Sequence, residues 1–335
     1  MKKSLFFLFI ASVCAMVCNG RENDVVVRNE TAGISLAGTL ALPDGNTQPR
    51  ALLVLASGSG AQNRDEEVMG HKPFKVLSDR LVAEGYGVLR MDDRGVGGSE
   101  GDFEKAILDD FTTDALSGVA YLRSLYPTSK VGILGHSQGG QVAVKAAARG
   151  AADFIITLAG PAWQGDSLIM SQCRALAVAT TGSWPMESLE RRLLDIAMSP
   201  MPDYIAVPIL LQQFGEVYGD ALKVPGVADG LTEQVKPLVS PMYRDLLRYD
   251  PAGDIKAVKV PWLALNGDKD LQVLVDNLRT FKDLNPDVIT VTLPSHNHLF
   301  QQATTGLPDE YPKLGQSPSS ETLEVIISNL PMLIK

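Results

Sequence analysis

The side chains whose type and spacing bear on chemistry are a serine between glycines, two aspartates set two apart, and four histidines scattered along a 335-residue chain. The serine is Ser137, in Gly135-His136-Ser137-Gln138-Gly139-Gly140. An apolar run, Val131-Gly-Ile-Leu134, precedes it, and an alanine-rich run, Val142 to Ala148, follows. The first reads as a short buried strand and the second as a helix, which puts Ser137 at a strand-to-helix turn inside a Gly-x-Ser-x-Gly pattern. Such a turn is a nucleophile elbow. Glycines two residues to either side let strand and helix approach closely, and the serine is held strained with its hydroxyl exposed. The same pentapeptide also fits a plain glycine-bounded connection, so its meaning depends on what other residues accompany it.

A serine hydroxyl is a weak nucleophile at neutral pH. It needs a base within hydrogen-bond reach, and that base needs an acid to fix its tautomer and to stabilise the imidazolium. Of the four histidines, His71 precedes a helical pattern and His136 adjoins the serine, where its ring is expected to point away from the hydroxyl. His296 and His298 both follow the last apolar strand pattern, and Asp268 and Asp270 both follow the one before it. Either pair supplies an acid and a base in the chain order serine, aspartate, histidine. That order is the one found on α/β-hydrolase sheets.

The elements that must position these groups alternate. Residues 24 to 42 read as an antiparallel hairpin turning at Thr31-Ala-Gly33. From 51 to 160 the apolar runs at 51–56, 87–91, 131–134 and 154–159 are separated by helical patterns at 74–83, 111–125 and 142–149. Strands alternating with helices imply a mostly parallel sheet covered on both faces. The rhythm breaks at Gly160-Pro161. Helical patterns at 168–179, 186–198 and 242–247, interrupted by prolines, read as a helical cap inserted over 161–254. The sheet resumes at Val260 to Leu265 and Val288 to Leu293, and a final helix covers Glu321 to Leu330. The expected organisation is therefore a leader over 1–20, a first core segment over 21–160, the cap over 161–254 and a second core segment over 255–335.

Two loops carry polar residues next to glycines. Ser57-Gly-Ser-Gly-Ala-Gln-Asn-Arg-Asp65 follows the first buried strand and could bring backbone N–H groups to a developing oxyanion. It is not a phosphate-binding Walker loop, because no Gly-Lys-Ser/Thr follows. In Asp92-Asp-Arg-Gly-Val-Gly-Gly-Ser99, Asp93 and Arg94 could belong to an active site, but read rather as a buried ion pair bracing the loop.

At this point the chain resembles a known group. Asn266-Gly-Asp-Lys-Asp270-Leu-Gln-Val273 and Asn297-His298-Leu-Phe300 are similar to the acid and base motifs of secreted bacterial α/β-hydrolases of the esterase and serine-peptidase kind. Ser57-Gly-Ser-Gly60 with Arg64-Asp65-Glu66, and Asp92-Asp-Arg-Gly-Val-Gly97, resemble that group's two signature loops, and Gly-His-Ser-Gln-Gly-Gly is also similar to the elbow of cinnamoyl and feruloyl esterases. The resemblance spans roughly residues 25 to 334. It implies Ser137 as nucleophile, Asp270 as acid with Asp268 as its spare, and His298 as base, His296 being the rival. It further implies an oxyanion hole from the backbone N–H groups of Gln138 and Ser59, with Gly60 as the alternative second donor. The implied reaction is hydrolysis of carboxylic esters through an acyl-enzyme. Alternatives are an aminopeptidase-like amide hydrolase with the same triad, a thioesterase, or a non-catalytic binding protein that keeps the fold.

Composition bounds the partners. The first residues, Met1-Lys-Lys3 followed by an apolar run to Val17 and then Cys18-Asn-Gly20, have the form of an exported protein's signal peptide; lipidation at Cys18 ranks second because Val17 is a poor small residue. Two of the three cysteines lie in that leader, so Cys173 alone remains and no internal disulfide is expected. Beyond the leader, 28 lysines and arginines face 39 aspartates and glutamates. An acidic chain without basic clusters is a poor match for nucleic acid or anionic membrane, and no cofactor or metal is expected, since no cluster has ligand spacing. The expected partner is a small-molecule ester, with no membrane span in the mature chain.

Overall fold

A computed structural model describes residues 20–45, 48–219 and 226–335. The expected leader lies outside the described residues apart from Gly20. Eight strands form one sheet: β1 (Arg21–Asn29), β2 (Ile34–Leu42), β3 (Leu52–Ala56), β4 (Gly87–Met91), β5 (Val131–His136), β6 (Phe154–Leu158), β7 (Trp262–Gly267) and β8 (Ile289–Leu293), in the order β1-β2-β4-β3-β5-β6-β7-β8. The hairpin of β1 and β2 pairs antiparallel, and β2 also runs antiparallel to β4. Every pairing from β4 across to β8 is parallel. The carboxyl ends of β3 to β8 therefore all point to one edge of the sheet.

Alternation along each strand sends neighbouring side chains to opposite faces. Leu52 and Val54 of β3, Ile133 of β5, Ile155 of β6 and Ala264 of β7 belong to one buried cluster. Leu53, Leu55, Leu134, Ile156, Leu263 and Leu265 belong to the other. Helices α2 (Leu108–Leu125) and α3 (Gln138–Ala148) cover the first face, and α1 (Pro73–Ala83) covers the second. The last helix, α11 (Ser320–Leu333), also packs on the second face; it begins under a cap in which Ser319 Oγ accepts from the Thr322 N–H at 3.1 Å.

Between β6 and β7 come α4 (Gly165–Thr181), α5 (Glu187–Met198), α6 (Asp203–Tyr218), α7 (Val227–Val235), α8 (Pro241–Arg248) and α9 (Ala252–Ala257). Among the described residues this stretch contains no strand, and it holds two apolar clusters of its own, around Leu194 and Leu247 and around Leu210 and Val239. Helix α6 is absent from the sequence reading because Pro208 stands inside it. Proline removes one backbone donor and usually ends a helix; here the apolar contacts of Ala206 and Leu210 with Val235 and Val239 hold the turns on either side. Helix α10 (Asp276–Leu284) then links β7 to β8.

Trp262 anchors the far half of the sheet. It is buried at the start of β7, its Nε1–H donates to Thr157 Oγ1 of β6 at 3.0 Å, and its ring meets Phe281 edge-on at 4.7 Å. Truncating a buried aromatic of this kind costs about 3–5 kcal/mol, and the change also strands the buried Thr157 hydroxyl. Trp262→Ala is therefore expected to lower unfolding stability by that amount in urea titration; a loss below about 1 kcal/mol would show that β6 and β7 are held by other contacts.

Candidate active site

Ser137 follows β5 directly and caps α3, with φ 52° and ψ −120°. A non-glycine residue rarely adopts this backbone conformation, and it persists only where the surroundings over-determine it. Two hydrogen bonds do so: the Ser137 N–H donates to Leu158 O at 2.8 Å and its carbonyl accepts from the Gly140 N–H at 2.9 Å. Sterics complete the constraint. A Cβ at Gly135 would overlap the Gly139 carbonyl, and one at Gly139 would overlap the Ala56 carbonyl. At Gly140 it would come within 2.7 Å of the Gly160 Cα.

On the loop after β7, Asp270 is buried and fully engaged. Its Oδ1 accepts from the N–H groups of Gln272 at 2.8 Å and Val273 at 2.9 Å, and its Oδ2 meets His298 Nδ1 at 2.8 Å. Three donors on one carboxylate fix its orientation, and acceptance from Nδ1 leaves Nε2 as the free ring nitrogen of His298. Asp268 is used differently: its Oδ1 accepts from the Ser295 N–H at 2.6 Å. His296 turns towards the start of α11, its Nδ1 on Pro294 O at 2.7 Å and its Nε2 on Ser319 Oγ at 2.8 Å. Asp270 and His298 thus meet, while Asp268 and His296 hold the loops that carry them. Among the described residues Ser137 Oγ and His298 Nε2 make no hydrogen bond.

The glycine-rich loop after β3 lies directly on the elbow, since a Cβ on Gly58 would sit 3.3 Å from Ser137 Cβ. The Gly58 N–H is taken by Glu66 Oε1 at 2.7 Å. Among the described residues the N–H groups of Ser59, Gly60 and Gln138 find no acceptor; Gln138 is the first residue of α3, where a helix leaves its donors unpaired. The loop is strung from Asp93, whose Oδ1 accepts from the Ser57 hydroxyl at 2.7 Å and whose Oδ2 accepts from the Gln62 N–H at 2.9 Å. Burial pushes the Asp93 carboxyl up to about 7; the Ser57 and Gln62 hydrogen bonds oppose this, and the charges of Glu66 and Asp114 add to it.

Asp93 and Arg94 do not pair, contrary to the sequence expectation. Adjacent residues in this turn point apart: Arg94 instead forms a buried bond from Nε to Asp114 Oδ2 at 2.8 Å and a half-buried one from Nη1 to Asp110 Oδ1 at 2.8 Å. The brace of the loop is Asp92, which takes Arg64 Nη2 at 2.8 Å. Sequence reasoning also missed Glu66 and the part played by His136. His136 is buried with Nδ1 on Glu66 Oε1 at 2.9 Å and Nε2 on the His298 carbonyl at 2.9 Å. Its only sequence signal is the Arg64-Asp65-Glu66 run after the glycine-rich loop.

A cavity of about 40 Å³ opens beside this loop, lined by Gly58, Gly60, Gln138, Met91, Phe103 and Phe111 among others. The Phe103 and Phe111 rings meet at a tilt of 54°, their centroids 5.7 Å apart. No helix among the described residues is long and apolar enough to cross a membrane.

Residues 47–205 match the family described as serine aminopeptidase, S33. The chain is 25% identical over 301 residues to esterase EstD of Thermotoga maritima, covering 88% of this chain and 64% of that enzyme. It therefore spans less than two thirds of the length of that curated relative. Among solved structures, the Pyrococcus furiosus esterase Pf2001 superposes with a TM-score of 0.57 at 18% identity, covering 94% of each chain. Est1E of Butyrivibrio proteoclasticus, solved with ferulic acid bound, superposes with a TM-score of 0.56 at 18% identity over 92% of this chain and 99% of its own. Strand order, the strained serine turn and these superpositions agree: the chain has the α/β-hydrolase fold.

Proposed function

We propose that the protein is a serine hydrolase of carboxylic esters with small or medium acyl groups, acting through Ser137, His298 and Asp270. The observation that carries the reading is the His298–Asp270 hydrogen bond at 2.8 Å, on loops that leave the same sheet edge as the strained Ser137 turn. The similarity to esterase EstD supports the ester as substrate class.

In this reading Ser137 Oγ attacks the ester carbonyl carbon as its proton passes to His298 Nε2. Asp270 accepts from Nδ1 throughout and stabilises the imidazolium without taking its proton. The tetrahedral oxyanion is received by the N–H groups of Gln138 and Ser59, each contributing about 3 kcal/mol to the transition state. The C–O bond to the alcohol then breaks, and the leaving oxygen takes the proton from Nε2. Water repeats the sequence on the acyl-serine and releases the acid. The contact between Oγ and Nε2 closes on substrate binding, as catalytic hydrogen bonds often do.

The cavity beside Gly58 and Gln138 receives the acyl chain. Its small volume, about 40 Å³, and the two phenylalanine rings in its lining favour the shorter acyl chains of that range. The helices over residues 161–254 act as a cap that shapes the alcohol side, and the leader over residues 1–20 directs export. A second reading, cleavage of amides, is favoured by the match of residues 47–205 to a serine aminopeptidase family. A panel of aminoacyl anilides beside p-nitrophenyl esters separates the two.

Ser137→Ala is expected to lower kcat for p-nitrophenyl butyrate by at least about 10⁴-fold with the fold retained by circular dichroism, and comparable activity in the variant would remove the mechanism. Asp270→Asn should cost about 10⁴-fold in kcat, whereas Asp268→Asn should stay within tenfold of wild type; the reverse pattern would exchange their roles. Phe111→Ala should move the chain-length optimum for kcat/KM to longer acyl groups. An unchanged optimum would place the acyl chain elsewhere.

A further inference from the structure

We infer that the buried pair Glu66–His136 is a positioning unit that locks the oxyanion loop and the base loop into one register. This rests on the esterase reading and adds two residues that it does not use. Glu66 Oε1 accepts from the Gly58 N–H at 2.7 Å, one residue before the Ser59 donor, and meets His136 Nδ1 at 2.9 Å. His136 Nε2 lies 2.9 Å from the carbonyl of His298, the base itself, and the two imidazole rings stand 4.8 Å apart. One carboxylate oxygen and one imidazole thereby join the glycine-rich loop, the elbow and the loop after β8.

The carbonyl fixes one of the two ring protons. A carbonyl oxygen accepts only, so His136 Nε2 carries a hydrogen, and in the proposed unit the second proton sits on Nδ1, which then donates to Glu66 Oε1 as part of an imidazolium. Burial opposes the charge on His136, but the Glu66 carboxylate, the His298 carbonyl and Asp270 outweigh it and hold the imidazolium above the ordinary histidine range. The charged groups facing His136 are Glu66, Asp270 and, when protonated, His298; Asp93 faces Glu66 from the loop after β4.

Glu66 is costly as a mere brace. Its Oε2 is buried without a partner, and the residue bears a positive φ of 52°. Glu66 and His136 border an apolar cavity of about 10 Å³. An apolar pair of similar volume would hold the loops at less expense. The carboxylate supplies what an apolar pair cannot, an acceptor that aims Gly58 and so sets the direction of the next peptide, where the oxyanion donor lies.

Glu66→Gln is the discriminating change. One amide atom at the Oε1 position can accept from Gly58 or donate to a neutral His136, but it cannot do both. The sign of the pH dependence is fixed: a raised histidine pKa means that the pair's contribution is complete below the ordinary value of about 6.5 and is lost as pH rises through the folded value.

The test has two arms, run on the full chain. Proton–nitrogen correlation of the histidine side chains at pH 7.5 should find His136 doubly protonated in wild type and singly protonated in Glu66→Gln. Steady-state kinetics on p-nitrophenyl butyrate should give a 10- to 100-fold lower kcat in the variant, KM within about twofold, and an alkaline limb of kcat shifted to lower pH. Inhibition by an alkyl boronic acid, which mimics the tetrahedral adduct, should weaken by the same factor as kcat/KM. A purely structural role would reduce thermal stability and leave the pH limb in place, and that result overturns the proposal. A neutral His136 in wild type overturns it as well, whether or not the protein turns over esters. Loss of turnover in wild type itself would instead count against the esterase reading, and the NMR arm keeps the two failures apart.

Discussion

The structure depends on how closely backbone approaches backbone around Ser137. Strand β5, helix α3 and the loop after β3 meet where Gly135 faces the Gly139 carbonyl and Gly139 faces the Ala56 carbonyl, with no room for a side-chain carbon at either position. That contact forces the strand to turn sharply into the helix and leaves Ser137 at φ 52°. It also sets the two sources of unpaired N–H groups side by side, the first turn of α3 and the glycine-rich loop. A looser turn would separate the hydroxyl from those donors, and in the proposed mechanism the strain is the means by which nucleophile and oxyanion donors share one place.

Around this point the chain concentrates buried and half-buried carboxylates, each with a separate task. Asp270 orients His298, Asp93 holds Ser57 and Gln62, Asp92 holds Arg64, and Glu66 holds Gly58 and His136. Burying so many acids is unfavourable unless each is compensated by donors or by a cation. Asp92 is compensated by Arg64, which outweighs burial and keeps its carboxyl below the usual range, whereas Asp93 has only neutral donors and is pushed up to about 7. The contrast between neighbours one residue apart shows that charge here is assigned by the partner, not by depth alone.

Much of this was legible in the sequence where the signal is local. The alternating strand and helix runs, the hairpin, the elbow and the chain order of serine, aspartate and histidine follow from periodicity and glycine placement. The choice of Asp270 over Asp268 and of His298 over His296 came from resemblance, since each pair sits two residues apart on one loop and only folding separates them. Side-chain pairings across loops were not legible. Asp93 and Arg94 look like partners because they are adjacent, but a turn sends adjacent side chains apart, and the true partners, Asp110 and Asp114, lie on a helix that begins 14 residues later. Glu66 meets His136 across 70 positions of chain, and no periodicity carries that information. Helix α6 escapes sequence reading for a different reason: Pro208 is a reliable breaker in isolation, and its tolerance depends on packing against α7 and the 3₁₀ turn Lys236–Val239 that follows it.

The central claim is that Ser137 becomes covalently acylated. Rapid mixing of the protein with p-nitrophenyl acetate, quenched in acid and digested for mass spectrometry, tests it most directly. The account predicts a burst of about one equivalent of nitrophenol per chain and an acetyl group on the peptide containing Ser137. Turnover without a burst and without a modified Ser137 peptide, or an acetyl group trapped on another residue, would contradict it.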